Sequence, residues 1–403
     1  MSETHTQPAD PDAAASLAAK IASAPFVRLY AHADGDSLAA AGLIALALNE
    51  RADPFQVHVS GDPDGDSANG TPDDDSLTLA VTTGQRTAAD CGLPPASDSR
   101  PASVVAAAVS RELGVDPDPL LGLAGVIASG SLPGTDGSGA LLETAEQAGL
   151  VERRAGIAVP TADIADGLAH STLVDAPFSG DLEAAQTVLD DLGLPDETLE
   201  FDEDARTRVA SALAVAVTTA ETATPAAADH IETALRPYAT PSGPFETLGG
   251  YADVLSVLAR EQPGVAVSLA LGATLSDAAL ATWREHATAA HRALSRAQTG
   301  RYEGVVVIRV ETDRPAVLST VARVAEQFRS PEAVVLVVTD SPIEGQRHAA
   351  LAAGEPAGLE TVAATVATEF SGRAGGTPTA GTIQVDGDVS NSELIAAVRE
   401  ALG

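Results

Sequence analysis

The chain contains one cysteine, Cys91, so no internal disulfide can close and no Cys-x-x-Cys metal site exists. It contains one lysine, Lys20, and the rest of its positive charge is arginine. Aromatic residues make up 3% while 45% of residues are hydrophobic, so the core must be built from Ala, Val, Leu and Ile. No apolar run reaches about 18 residues, and no transmembrane helix is expected. The stretch Met1 to Ala15 lacks the basic-then-apolar order of a signal peptide. A soluble, cytoplasmic protein with no membrane partner is the expectation. No Gly-x-Ser-x-Gly, Walker A or dinucleotide fingerprint appears either.

What is abundant is negative charge: 57 acidic against 23 basic residues, a formal net charge of -34. Self-repulsion of that size loosens a compact state in dilute buffer, whereas at about 1 M salt the Debye length falls to roughly 3 Å. The composition therefore predicts a halophilic, archaeal-type cytoplasm. A rival reading, an acidic module that binds basic proteins, is weakened because the acid is spread along the whole chain.

A length of 403 residues suits two domains. Residues 1–22 read as a tail that is disordered or helical. A strand from Phe26 to Ala31, a helix through about Asn49 and a strand from Phe55 to Ser60 form a βαβ unit, which predicts a parallel sheet. The run from Gly61 to Ser76 reads as a surface loop. Its spacing Asp62-x-Asp64-Gly-Asp66 is near that of a calcium loop, but Ser67 and Asp73 stand where Gly and Glu are needed. A further strand from Leu77 to Thr83 is expected, then helices near Ser103 to Leu113 and Leu120 to Ala128. The fold class predicted is α/β, with an N-terminal parallel-sheet domain over residues 23–240, a helical connector over 241–300 and a smaller C-terminal α/β domain over 301–403.

His32-x-Asp34-x-Asp36 at the end of the first strand is the most informative element. A parallel strand delivers such side chains into the crevice above the sheet, and oxygen and imidazole ligands of this kind suit manganese or magnesium. The plainer reading is that Asp36 or Ser37 caps the following helix and Gly35 makes the turn. The stretch AHADGDSLAAAGLI resembles the first motif of the DHH phosphoesterases, with His32, Asp34 and Asp36 on the motif positions and Ser37 in place of Gly. Gly375-Gly376-Thr377-Pro378-Thr379-Ala380-Gly381 is similar to the Gly-Gly-His motif of the DHH-associated C-terminal domain. Arg347 stands where that domain commonly carries an arginine that faces substrate phosphates. Between the two, FETLGGYADVLSVLAREQPGVAVSLALG resembles the segment before the connector in archaeal RecJ-like exonucleases. The three matches occur in family order over roughly residues 25–385.

The resemblance also shows what has been replaced. Thr82 stands where the family ends its third strand with aspartate, Ser129 where the fourth motif ends in aspartate, and Thr377 where the C-terminal motif has histidine. The Asp-His-His triplet is missing: Gln85 to Pro101 contains no histidine, and its acids are Asp90 and Asp98. Two divalent cations about 4 Å apart need several carboxylates between them, so no tight two-metal centre is expected and no cofactor is assigned. Cys91 has no nearby histidine, and the remaining histidines are expected to be surface or packing residues.

The resemblance implies a catalytically inactive RecJ-like subunit, with Gly375, Gly376 and Arg347 kept for substrate or nucleic acid. Its implied partners are single-stranded nucleic acid, a RecJ-like paralogue or replication and repair proteins. The alternative is a working single-strand exonuclease or phosphodiesterase with a reduced manganese or magnesium site on His32, Asp34 and Asp36.

Overall fold

The computed structural model describes residues 11–60, 76–81, 89–93, 100–194, 202–235 and 237–403. The chain divides into two compact units, each drawn from several segments. Unit 1 comprises Met1–Glu152, Thr240–Pro244 and Leu255–Ser276, and unit 2 comprises Arg153–Ala239, Phe245–Val254 and Asp277–Gly403.

In unit 1, helix α1 (Pro11–Ser23) leads into strand β1 (Phe26–His32), helix α2 (Gly35–Glu50) and strand β2 (Phe55–Ser60). Strands β3 (Ser76–Val81) and β4 (Cys91–Leu93) complete a four-stranded sheet in the order β2-β1-β3-β4, parallel throughout. The predicted βαβ unit is therefore present, and its elements begin and end within about two residues of the sequence-based bounds. Helix α2 is apolar on every side, and Leu38, Ala39, Ala40, Ala41, Ile44 and Leu48 are completely buried. A helix apolar all round belongs inside a core. Its neighbours are α3 (Ala102–Glu112), α4 (Pro119–Ala128) and α11 (Pro263–Ala270), while α5 (Gly139–Gln147) packs on α4.

Unit 2 is organised by a six-stranded mixed sheet, in the order β11-β12-β10-β9-β8-β7. It follows two short strands, β5 (Glu152–Arg153) and β6 (Tyr238–Ala239). The sheet is formed by β7 (Gln298–Tyr302), β8 (Val305–Val310), β9 (Val334–Thr339), β10 (Gln346–Ala353), β11 (Arg373–Thr377) and β12 (Ala380–Asp386). Only the β8–β9 pair is parallel. Alternate residues of a strand point to opposite faces, and both faces of this sheet are covered. Val306, Ile308 and Val310 face one core with Val335 and Val337, while Val305 and Val307 face the other with Val334 and Leu336. That double burial is why VVVIRV and VVLVVT read as unbroken apolar runs. The second core is closed by α14 (Leu359–Glu369) and α15 (Asn391–Leu402).

Packing draws the division of the chain elsewhere than at the predicted residue 240. The first core of unit 2 takes in Val317, Val321 and Phe328 of α13 (Val317–Phe328) together with Ile157, Ile164, Phe178, Leu189 and Val209. The helices α6 (Ile164–His170), α7 (Leu182–Asp191), α8 (Glu203–Thr218) and α9 (Ala227–His230) thus cover the C-terminal sheet instead of extending unit 1. The connector expected over 241–300 is likewise shared. Helix α10 (Leu248–Glu261) changes unit after Val254, and α12 (Ser276–Ser295) belongs to unit 2 from Asp277.

A buried polar knot holds unit 2 together. Asp253, 2% exposed, accepts hydrogen bonds from the Thr172 amide at 3.0 Å, from the Thr172 hydroxyl, and from Trp283 Nε1 at 2.9 Å. Arg323 donates to the Thr172 hydroxyl at 2.8 Å and to its carbonyl at 3.1 Å. Nearby, Arg329 pairs with Asp175 and the buried His291 donates to the Ser171 carbonyl at 2.9 Å. His286 and His291 are packing residues, 0% and 4% exposed. Among the described residues no helix is long and apolar enough to cross a membrane.

Candidate functional site

In the order β2-β1-β3-β4 the chain leaves β1 toward β2 on one side while β3 lies on the other. The C-terminal end of β1 is therefore the switch point at which open α/β sheets form their crevice. His32 is the last residue of β1, and Asp34 and Asp36 follow in the turn and first turn of α2. The close packing here depends on glycine: a Cβ on Gly35 would sit 2.6 Å from Ser256 Oγ and 2.7 Å from Ala128 Cβ.

Asp34, rather than Asp36 or Ser37, is the cap of α2. Its Oδ1 accepts the Ser37 amide at 2.8 Å, and its Oδ2 accepts the Ser37 hydroxyl at 2.9 Å and lies 2.8 Å from His32 Nδ1. Burial works to raise the Asp34 pKa, but His32 and Ser37 together outweigh it and hold the carboxyl below its ordinary 3.8. The carboxylate has only acceptors, so His32 Nδ1 carries a proton. His32 Nε2 is buried without a hydrogen-bond partner.

Asp36 serves a different helix. Its Oδ2 accepts the Ala102 amide at 2.7 Å, and its Oδ1 accepts the Ser103 amide at 3.0 Å and the Ser103 hydroxyl at 2.6 Å. It thereby satisfies the free amides at the start of α3, where Pro101, the N-cap residue, makes no side-chain hydrogen bond. Burial pushes the Asp36 carboxyl up to about 7, against the pull of the Ser103 hydroxyl and with added repulsion from Asp34. Sequence reasoning missed Ser103 because it stands 67 positions from Asp36 and no local pattern links them.

These bonds decide how well the site suits the divalent metals implied by the resemblance. All four carboxylate oxygens of Asp34 and Asp36 already accept protein hydrogen bonds, and among the described residues no three His, Cys, Asp or Glu side chains converge on one point. The described residues do not fit a two-metal centre. One group is suited to a metal, the unpartnered Nε2 of His32.

The other predicted positions have separate surroundings. Ser129 ends α4, its hydroxyl donating to the Val126 carbonyl at 2.7 Å. Thr82 and the candidate calcium loop lie outside the described residues. Gly375, Gly376 and Thr377 belong to unit 2, in β11 and not in a turn. A Cβ on Gly376 would sit 2.4 Å from the Ala380 carbonyl oxygen, so glycine is needed for the close approach to β12. Arg347, expected to face substrate phosphates, is 7% exposed. It donates to the carbonyls of Val389 at 2.5 Å and Thr339 at 3.1 Å, and to Asn391 Oδ1 at 2.7 Å. Its visible contacts tie the start of α15 to the end of β9.

Comparison with known proteins bears on this arrangement. Residues 297–400 match the family model described as uncharacterized protein rrnAC1427, C-terminal domain. The uncharacterized protein rrnAC1427 of Haloarcula marismortui is 45% identical over 407 residues, covering 100% of both chains. CDC45 from Entamoeba histolytica superposes with a TM-score of 0.64 over 97% of this chain and 99% of its own, at 8% identity, a likeness of fold alone. The exonuclease RecJ bound to manganese aligns over 98% of this chain and 94% of its own, at 14% identity and a TM-score of 0.49. The mixed α/β architecture expected from the sequence is shared, as a fold, with CDC45. By full-length identity the chain belongs to the family of the Haloarcula marismortui protein rrnAC1427.

Proposed function

We propose that this protein is a catalytically inactive RecJ-like protein. Its retained fold serves as a subunit of a nuclease or replication assembly in a halophilic cytoplasm. The observation that carries this reading is the employment of Asp34 and Asp36: the two carboxylates that a phosphodiesterase would offer to metal hold the starts of α2 and α3 instead. The fold shared with CDC45 and the relative from Haloarcula marismortui both support it. Its partners on this reading are a RecJ-like paralogue or other replication and repair proteins, with single-stranded nucleic acid as a further contact. Counterion release contributes little to nucleic-acid binding in molar salt, so protein partners are favoured. Co-purification from the native host with mass spectrometry tests the proposal. Recovery of the protein with replication or repair proteins supports it, and its recovery alone removes the motivation.

The second reading is a manganese- or magnesium-dependent exonuclease or phosphodiesterase with a reduced site. It is favoured by one observation, the buried and unpartnered Nε2 of His32. A manganese-dependent nuclease activity in high salt that disappears in Asp34→Ala would establish this reading over the first.

A further inference from the structure

The six-stranded sheet of unit 2 ends on β7, so among the described residues no strand pairs with the outer edge of β7. Such an edge offers a row of unmet amides and carbonyls to any extended chain, and proteins commonly blunt it with charge, proline or a bulge. In β7 the residues Gln298, Thr299 and Arg301 are exposed, and the strand holds neither proline nor an acid.

The charge around this edge has the opposite sign to the rest of the chain. Acids outnumber bases 57 to 23 overall, yet residues 292–310 hold four arginines, Arg292, Arg296, Arg301 and Arg309, against one acid, Glu303. All four arginines are exposed. Arg301 pairs with Glu332, whereas no described acid pairs with Arg292, Arg296 or Arg309. They stand on both faces of the sheet. Arg301 lies opposite Val306 on the face of the first core, where the end of α12 brings Arg292 and, just beyond it, Arg296. Arg309 alternates with Val305 and Val307 on the other face, beside Gln298 at the start of β7. At the far end of that face the guanidinium of Arg399 lies over the Tyr302 ring, 4.5 Å from its centroid.

Charge of either sign keeps edges apart, and acid is what this chain has in excess, so arginine here is better explained by what it attracts. Gly300 adds an independent sign. A Cβ there would meet nothing nearer than Tyr302 Cε2 at 3.6 Å, so packing within the fold does not require glycine. Glycine inside a strand weakens it and marks places where another backbone comes close. We propose that β7 takes up an extended acidic segment of another protein as a seventh strand, whose carboxylates meet Arg301 on one face and Arg309 on the other. Strand addition draws affinity from main-chain hydrogen bonds and selectivity from the side chains. In about 1 M salt, fields are screened beyond roughly 3 Å, but contact ion pairs persist. A second copy of this chain fits poorly, because pairing β7 with itself brings the arginines of two copies together. The proposal uses no residue of the turn between β1 and α2, and so it stands apart from both readings of that turn.

Fluorescence anisotropy of the full chain in molar KCl tests this with a short labelled peptide of Glu-Glu-Thr-Thr repeats, which carries carboxylates on both faces of an extended strand. The same peptide with Lys for Glu and an oligothymidylate serve as comparisons. The Glu peptide is expected to bind and to slow hydrogen exchange at the β7 amides, and the Lys peptide not to bind. Arg309→Glu, at an exposed residue with no described partner, is expected to weaken binding about tenfold or more. Arg309→Gln, with a smaller loss, serves if the reversed variant fails to fold. Failure of the Glu peptide to bind, or binding that leaves exchange in β7 unchanged, overturns the proposal. So does equal affinity for the Lys peptide, tighter binding of the oligothymidylate that Arg309→Glu abolishes, or a native dimer that the Glu peptide disperses.

Discussion

The Asp36 carboxylate holds Ser103 at two points, accepting its amide at 3.0 Å and its hydroxyl at 2.6 Å, and so fastens α3 to the head of α2. Removing a buried acceptor from two amides and a hydroxyl leaves donors unmet. Asp36→Ala is therefore expected to cost about 2–4 kcal/mol and Ser103→Ala about 1–2 kcal/mol. Because the two residues share bonds, the double variant should cost less than the sum by roughly 1 kcal/mol. Urea unfolding in molar KCl measures all three, and an Asp36→Ala protein as stable as the native one would contradict the capping role.

Two buried carboxylates should act on stability in opposite pH windows. Asp166 is bound by Arg284 at 2.8 Å through both Nε and Nη2, and lies 3.0 Å from His170 Nδ1. Burial works to raise its pKa, but His170 and Arg284 more than offset this and bring it down to about 2 from an ordinary 3.8. Its contribution is present above pH 3.8 and is lost as pH falls through 2. Asp36, raised to about 7, behaves the other way: its contribution is full below pH 3.8 and is lost as pH rises through 7. Stability profiles of the native chain against Asp166→Asn and Asp36→Ala should diverge and converge in those two windows respectively.

Manganese should not enter the His32 site as a pair. Calorimetric titration of the native chain is expected to give at most one weak site, abolished in His32→Ala. A stoichiometry of two, lost on changing Asp34 or Asp36, would show that those carboxylates leave their helices to bind metal.

Two glycines, Gly250 in unit 2 and Gly264 in unit 1, test how closely the backbone around each is packed. A Cβ on Gly250 would sit 2.2 Å from Pro160 N and 2.3 Å from the Val159 carbonyl carbon, both backbone atoms, so Gly250→Ala is expected to cost about 3 kcal/mol or more. Gly264, in α11, has nothing within 4 Å of its Cβ position. Gly264→Ala is expected to be neutral or to stabilise by up to about 1 kcal/mol. Thermal unfolding of the two variants in the same salt distinguishes them.

Salt itself should govern folding. Diluting KCl from about 1 M to about 0.1 M lengthens screening from roughly 3 to 10 Å, and the melting temperature is expected to fall steadily over that range. A salt-independent melting temperature would contradict the reading of the charge.

Strands β1, β2 and β3 were legible from short apolar runs bounded by turn residues, whereas β10, β11 and β12, built largely of Ala, Gly and polar residues, left no such mark. Their helices were legible as helices, yet the faces of α6 to α8 gave no indication of which sheet they cover, and so the grouping of Arg153–Ala239 with the C-terminal sheet was not foreseen. At the site, the position of His32, Asp34 and Asp36 followed from the strand-turn-helix pattern. Their employment did not, because it depends on Ser103, brought in from 67 residues away. Arg347 shows the same limit: its acceptors, Thr339 on one side and Val389 and Asn391 on the other, come from two stretches far from each other in sequence.

The knot around Asp253 has a bearing on how the protein is made. Its members, Thr172, Asp253, Trp283 and Arg323, emerge from the ribosome far apart. A nascent chain stopped before residue 323 lacks the guanidinium that binds Thr172 and the strands that the preceding helices cover, so the first core of unit 2 is incomplete until those strands are made. It must wait for the C-terminal sheet, and any premature truncation leaves the preceding helices without a partner and open to degradation.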